Sequence, residues 1–389
     1  MDTDRLKSTW QHVILHGDDV ALYFYSHLFV THPEVRDMFP LTMDAQRDRL
    51  VGALGRVVSN VDQLGEVVPY VEQLGRDHRR FSVVAEHYDA VGASLLWTLQ
   101  HFLGDAWTAD VARDWADAYG VVAATMVGAA EEAAEESQPA WWDAEIIEAA
   151  RVSREIAVVR VQPETPVPYR AGQSLAITIP QAPRVWRYFS PANAPRPDGG
   201  MEFHVGLVPG GRVSRPFVGS ARPGDRLRLG APVGTALAID PVGASDLLMV
   251  AGGTGIASFL ALLDEIEQAW QERQSSRRVH LVHGARFAWN LYAGARLRHF
   301  AQYPWFTATE TVSDDPTYPG SRGLVGDVAA SVAMPDPYDA LVCGSPLMVS
   351  HTTAALTTSP RPPQSISFEE FAITSQPPVG AAVAGRPTR

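Results

Sequence analysis

One cysteine in 389 residues, Cys343, has no partner for an internal disulfide, so the expectation is a protein of the reducing cytoplasm. Basic residues are also short, with 32 Lys and Arg against 44 Asp and Glu and a net charge of −12. A nucleic-acid binder, which normally begins with a basic face, is not expected. No apolar run approaches the roughly 20 residues that span a bilayer. The opening Met1-Asp2-Thr3-Asp4-Arg5 lacks the basic-then-apolar pattern of a signal peptide. Proline is scarce in the first third. Of 29 prolines only Pro33, Pro40 and Pro69 precede residue 139, which leaves 26 for the remainder. Proline breaks helix interiors, so the asymmetry separates a helical N-terminal part from a strand-and-turn remainder.

What is present is ordinary for a globular protein: 46% apolar and 20% charged residues, in a chain too long for one core. Val20, Tyr23, Phe24 and Leu28 recur at helical steps, as do Tyr88, Val91, Leu95, Leu96 and Leu99. About six helices without a strand signal predict an all-α domain over residues 1–138. From Ile156 the pattern turns to short alternating runs such as Ile156 to Val161 and Leu175 to Ile179, separated by Pro/Gly turns. These predict an antiparallel β-barrel domain over 145–240. From Asp246, strand, Gly-rich turn and helix follow one another, which predicts an α/β domain with a parallel sheet over 243–373. The tail 374–389, rich in Pro, Ala and Gly, is expected to lack fixed structure.

Five places carry chemistry. His78 lies in Asp77-His78-Arg79-Arg80-Phe81 between helices with apolar faces, where a neutral imidazole can ligate haem iron. In Arg187-Tyr188-Phe189-Ser190 an arginine can hold a phosphate, an aromatic can stack on a planar heterocycle and a hydroxyl can reach a ring nitrogen. Pro209-Gly210-Gly211-Arg212-Val213-Ser214 offers backbone donors to a diphosphate, although Gly210-Gly211 is also readable as a plain hairpin turn. Gly252-Gly253-Thr254-Gly255 follows an apolar strand and opens a helix whose free N–H groups suit a pyrophosphate. Cys343-Gly344-Ser345-Pro346 ends a later strand, at the edge where ligands bind such sheets.

The helical part resembles the globin domain of bacterial flavohaemoglobins. The likeness runs through Phe24-Tyr25-Ser26-His27-Leu28-Phe29, His32-Pro33-Glu34, Met38-Phe39, Ala45-Gln46-Arg47-Asp48-Arg49-Leu50, Asp77 to Phe81 and His87 to Gly92. The resemblance implies that His78 is the proximal iron ligand of haem b, and that Tyr25 and Gln46 line the distal oxygen pocket. It further implies that Phe39 wedges against the porphyrin and that Tyr88 is oriented toward His78. One position departs from the family. A glutamate usual eleven residues after the tyrosine matched by Tyr119 is replaced by Ala130, and Glu131 is offset by one residue, roughly 100° around a helix. The expectation is that Glu131 belongs to a solvated face.

The remainder resembles the ferredoxin-reductase superfamily. By that likeness Arg187, Phe189, Ser190, Gly211, Val213 and Ser214 contact FAD, and Phe371 covers the flavin. Gly252, Gly253, Thr254, Gly255, Cys343, Gly344 and Pro346 hold NADH or NADPH. Phe189 stands where the family often has tyrosine, and Ser258 where it usually has proline. Arg286 is a candidate for a 2′-phosphate or a plain surface residue, and the preferred nicotinamide stays open. The whole chain thus resembles a flavohaemoglobin, whose implied activity is conversion of nitric oxide and O2 to nitrate at the expense of NAD(P)H, with no obligate protein partner. Two rivals are an oxygen or redox sensor with a flavin module that resets it, and a haem–flavin reductase acting on peroxides or ferric acceptors.

Overall fold

A computed structural model describes residues 1–136, 138–371 and 379–384, and the chain divides into two compact units, Met1–Trp141 and Trp142–Arg389. The first unit holds six α-helices: α1 Thr3–Ile14, α2 Asp18–Thr31, α3 Asp44–Ser59, α4 Leu64–His78, α5 Ala85–Leu103 and α6 Ala109–Glu135. Side chains start two of them. Asp2 accepts from the Arg5 N–H at 3.0 Å, and Thr108 accepts from the Val111 N–H at 3.3 Å, satisfying amides that no helical carbonyl reaches. Chain breaks occur at the 3-10 turn Pro33–Met38 and at Gly104–Ala106, where the proline and glycine signals place them. The apolar stripes of α1, α2, α5 and α6 meet in one core containing Trp10, Phe24, Leu28, Leu99 and Trp115. Leu28 and Leu99 are completely buried, each worth roughly 1.5–3 kcal/mol of transfer free energy. A smaller cluster of Val67, Val71 and Met126 binds α4 to α6.

The second unit begins with β1 Trp142–Arg151, β2 Ile156–Pro163, β3 Ser174–Thr178, β4 Arg187–Phe189, β5 Met201–Gly206, helix α7 Ser214–Ser220 and β6 Arg226–Val233. These strands form an antiparallel sheet in the order β4-β3-β6-β1-β2-β5, and a bridge between Pro191 and Phe203 links its two edges. The alternating runs reveal the sheet from Ile156 onward, but β1 precedes them. Its register against β2 shifts between Ile146 and Glu148, so a bulge interrupts the two-residue period that would have marked it.

The rest alternates strand and helix: β7 Asp246–Gly252, α8 Ile256–Gln271, β8 Val279–Ala285, α9 Gly294–Phe300, β9 Phe306–Val312, β10 Ser321–Arg322, α10 Val325–Ala330, β11 Tyr338–Gly344, α11 Pro346–Thr357 and β12 Ser365–Glu370. With Val379–Ala384 as β13, the sheet order is β10-β9-β8-β7-β11-β12-β13, and every pair is parallel except the last. Here the expectation for the tail needs correction. Residues Val379–Ala384 are not structureless but form β13, antiparallel to β12 from Ser365↔Ala384 to Glu370↔Val379. The run Val379-Gly380-Ala381-Ala382-Val383-Ala384 is small and apolar, and composition alone hid its ability to pair with an open sheet edge. The other tail residues lie outside the described ones. The strand order reverses between β7 and β11, and a ligand crevice belongs at the carboxyl ends of those two strands.

Candidate functional site

In the helical unit His78 is the last residue of α4, and its Nδ1 lies 2.6 Å from the Leu74 carbonyl one turn earlier. Nδ1 therefore carries the hydrogen and donates it, which leaves the Nε2 lone pair for a ligand. Burial holds the imidazole below its usual pKa, outweighing the Leu74 hydrogen bond, so the ring is in its neutral, ligating form. Tyr25 on α2 is 5% exposed and packs among Phe24, Phe29 and Phe39, whose rings lie 4.9, 5.7 and 5.5 Å away. Burial pushes its phenol well above the ordinary value, so the hydroxyl keeps its hydrogen as a donor.

Gln46 lies beside the Tyr25 hydroxyl. Its backbone carbonyl accepts from the Tyr25 hydroxyl at 3.4 Å, while its side-chain oxygen accepts from Arg49 Nη1 at 3.0 Å. Arg49, whose charge also acts on Tyr25, is a polar group near this pocket that sequence did not single out. Tyr88 has no hydrogen bond to His78 among the described residues. It packs in the cluster with Leu74, its phenol is pushed up to about 12 by burial, and its carbonyl accepts from the Tyr119 hydroxyl. Ala130 is half-buried and Glu131 is exposed, so Glu131 does not turn inward to replace the missing glutamate. A neutral imidazole with one nitrogen engaged and the other uncommitted, beside apolar helix faces, fits a haem as the resemblance implied.

In the second unit one cavity of about 780 Å³ runs along the crevice. Arg187, Phe189, Ser190, Gly211, Val213 and Ser214 line its barrel side, Gly252 to Gly255 and Gly344 its sheet side, and Phe371 also borders it. Cys343 and Pro346 are not part of that lining. Ser190 Oγ is 2.9 Å from Ser174 Oγ on the neighbouring strand, which fixes its rotamer. Burial, then the nearby Arg212, pushes Arg187 below the usual guanidinium value, and two cations this close mark a place for an anion. Ser214 Oγ accepts from the Val208 N–H at 3.1 Å and so shapes the Gly210-Gly211 turn. This arrangement suits the phosphates and ring of FAD.

The glycines of the second turn have separate reasons. Gly253 has φ +55°, and a Cβ on Gly255 would lie 2.5 Å from the Cys343 carbonyl oxygen. The turn therefore closes directly over the end of β11. Cys343 is fully buried, and its Sγ lies 3.7 Å from Ser258 Oγ. Burial, reinforced by Glu369, pushes the thiol far up. Glu369 itself is the residue the sequence reading missed. It pairs in register with Cys343, is completely buried, and neither carboxyl oxygen has a hydrogen-bond partner among the described residues. Its pKa is pushed up to about 8 by burial. Orphaned buried oxygens call for a missing partner, and a bound cofactor at this crevice would supply one. The available signal was period two in β12, which puts Glu369 on the same face as Phe371.

Three family models match the chain in order: Globin over residues 22–126, Oxidoreductase FAD-binding domain over 143–237 and Oxidoreductase NAD-binding domain over 249–354. The chain is 28% identical to a flavohemoprotein of Bacillus subtilis, covering 94% of this chain and 95% of that protein. The fold matches a flavohemoglobin of Malassezia yamatoensis with bound FAD and heme at TM-score 0.75, with 17% identity over 95% of this chain and 98% of that one. The chain joins a globin domain to FAD- and NAD-binding oxidoreductase domains and is similar to flavohaemoproteins along nearly its whole length. Its cofactors follow from those domains: haem in the globin domain, FAD on the barrel and a nicotinamide nucleotide on the parallel sheet. The reductase half also matches, at 17% identity and TM-score 0.50, the FAD/NAD-binding domain of a nitric oxide dioxygenase from Vibrio cholerae, covering 59% of this chain and 98% of that one. No described helix is long and apolar enough to cross a membrane.

Proposed function

We propose that this protein is a flavohaemoprotein and a cytoplasmic nitric oxide dioxygenase, converting nitric oxide and O2 to nitrate with electrons from NAD(P)H. The observation that carries the reading is the pairing of His78 and Tyr25: a neutral ligating imidazole and a protonated phenol in the one globin domain of a chain that also builds a nicotinamide–flavin crevice. The vibrio relative named as a nitric oxide dioxygenase supports it. When bound, haem supplies an iron that holds O2, and FAD splits a hydride's two electrons into single deliveries.

The protein's own residues do the rest. Leu74 fixes the His78 ring through Nδ1, so Nε2 is presented without reorganisation. Tyr25 holds its hydrogen on a phenol that burial keeps protonated, ready to bond a ligand that gains negative charge. Gly252 to Gly255 receive the pyrophosphate on backbone donors, and Gly344 and Phe371 border the space for the nicotinamide against the flavin. Glu369, held protonated by burial, keeps a neutral carboxyl beside Cys343 at the end of β11. The test is aerobic consumption of nitric oxide by purified protein, with nitrate formation dependent on NADH or NADPH. Rapid nucleotide oxidation that leaves nitric oxide untouched would remove the reading.

One observation favours a second reading, a reductase of peroxides or ferric acceptors. With Ala130 in place of an acid and Glu131 facing solvent, the described hydrogen-bond partner of His78 Nδ1 is the Leu74 carbonyl rather than a carboxylate, which weakens its donation to iron. Turnover of peroxide or ferric citrate faster than of nitric oxide would establish it.

A further inference from the structure

Between the FAD barrel and the nicotinamide sheet lies a chain of polar contacts that the site described so far does not use. Glu202 and His204 stand on the same face of β5, and His204 Nε2 is 3.1 Å from Glu202 Oε1. On its other side His204 Nδ1 is 2.8 Å from the hydroxyl of Tyr292, which belongs to the segment joining β8 to α9. The Tyr292 ring meets His283 edge to face at 6.2 Å. His283, completely buried on β8, places Nε2 3.0 Å from the Gly253 carbonyl, at the head of the pyrophosphate turn. Its Nδ1 looks toward Glu310 Oε1 at 3.8 Å. Beside these links Gly206, at the end of β5, lies so close to Thr254 of the same turn that a Cβ would touch its side chain at 3.4 Å.

The hydrogens in this chain are fixed by the acceptors. Burial alone would raise the Glu202 carboxyl, but the His204 hydrogen bond and the charges of Arg296 and Arg196 hold it below its usual range. Glu202 is therefore an acceptor, His204 Nε2 donates to it, and Nδ1 accepts from Tyr292. Burial raises the Tyr292 phenol far up, so its hydroxyl stays a donor. His204 also lines the cavity.

We infer that Tyr292 and His204 are positioning residues for hydride transfer: they lock strand β5 of the flavin barrel to the nucleotide turn and set the approach of the nicotinamide to the flavin. Hydride transfer requires the donor and acceptor atoms within a narrow range, and a misplacement of about 1 Å can cost on the order of a hundredfold in rate. A rigid link from the barrel to the Gly253 carbonyl, through ring contact and hydrogen bonds, holds that range without touching either reacting atom. The inference rests on the reading that NADH or NADPH reduces the flavin in this crevice.

The experiment is anaerobic rapid mixing of the full-length holoprotein with NADH and with NADPH, following flavin bleaching and the nicotinamide–flavin charge-transfer absorbance. Tyr292→Phe keeps the ring and removes the link. Its hydride-transfer rate constant is expected to fall about tenfold and its charge-transfer band to weaken. FAD content stays stoichiometric, and Tm drops by no more than a few degrees. His204→Gln, whose amide can still accept from Tyr292, recovers part of the rate, and His204→Leu does not. Wild-type rates and an unchanged charge-transfer band in Tyr292→Phe would overturn the inference, as would a loss that tracks FAD release. If the wild-type flavin is not reduced by either nucleotide, the reading beneath the inference fails and takes the inference with it.

Discussion

Gly75, one turn before His78 on α4, lies directly against the backbone of Met126 on α6: a Cβ there would sit 2.2 Å from the Met126 carbonyl oxygen. A glycine inside a helix costs about 1 kcal/mol relative to alanine, so close helix contact must offset that penalty. Because the opposing atoms are backbone, no side-chain rotation relieves a substitution. Gly75→Ala is expected to lose about 1–3 kcal/mol despite its better helix propensity. It should also lower haem retention, since α4 carries His78. Thermal unfolding followed together with haem absorbance checks both effects. An unchanged Tm would mean that the two helices part at little cost.

His78→Ala removes the imidazole that Leu74 orients, while the FAD crevice belongs to the other compact unit. The expected product is a yellow protein with full flavin and no Soret band. Stoichiometric haem in that variant would show that another residue binds the iron.

Tyr25→Phe deletes the buried hydroxyl and keeps the ring packed among Phe24, Phe29 and Phe39. Loss of a single hydrogen bond to a polar ligand is worth about 1.5–3 kcal/mol, so oxygen should dissociate at least roughly tenfold faster. Stopped-flow dissociation from the reduced protein measures this, and no change in rate would remove Tyr25 from ligand stabilisation.

Glu369 gives stability a pH dependence of definite sign. Its folded pKa of about 8 stands above the roughly 4.3 of an unfolded glutamate. Between those values the folded chain keeps a proton that the unfolded chain releases. Its contribution is therefore complete below about pH 4.3 and is lost as pH climbs to about 8. Glu369→Gln removes the titration, so its Tm advantage over the wild type should grow as pH rises through neutrality and level off above about 8. Parallel Tm curves for the two proteins would mean that the carboxylate is not held neutral.

How far these sites were legible depends on whether local sequence records them. The helices, most of the barrel and the parallel sheet follow from period and punctuation, and the glycines of the pyrophosphate turn are set by one φ and one close approach. Strand β1 was hidden by its bulge, and β13 by a bland composition. That the Tyr25 hydroxyl meets the backbone carbonyl of Gln46 was not legible, because every residue carries that carbonyl. Period two in β12 offered a sign of Glu369's face, but its burial beside Cys343 depends on the neighbouring strand β11, and the His204–Tyr292 link joins residues 88 apart. No local pattern contains those contacts.

The nucleotide preference, open from sequence, acquires a physical basis at Arg286. Its side chain reaches Asp314, with Nε 2.7 Å from Oδ2, and Glu155 adds a further negative field. Arg286 borders the cavity beside Ser313, on the β8 and β9 side of the turn Gly252 to Gly255, and this end of the cavity is taken as the adenosine site. A 2′-phosphate arriving there meets a guanidinium already engaged by a carboxylate that stays ionised, and must also bear that carboxylate's repulsion. A free 2′-hydroxyl can instead donate to Asp314. The expected result is kcat/KM for NADH at least about tenfold above that for NADPH at low salt. The ratio should narrow as ionic strength rises, because both groups are solvent-exposed. Asp314→Ser frees Arg286 and should improve NADPH while leaving NADH nearly unchanged, whereas Arg286→Ala should further weaken NADPH. Steady-state ferricyanide reduction with each nucleotide separates these outcomes. Equal use of both nucleotides by the wild type would show that the Arg286–Asp314 pair lies outside the adenosine site.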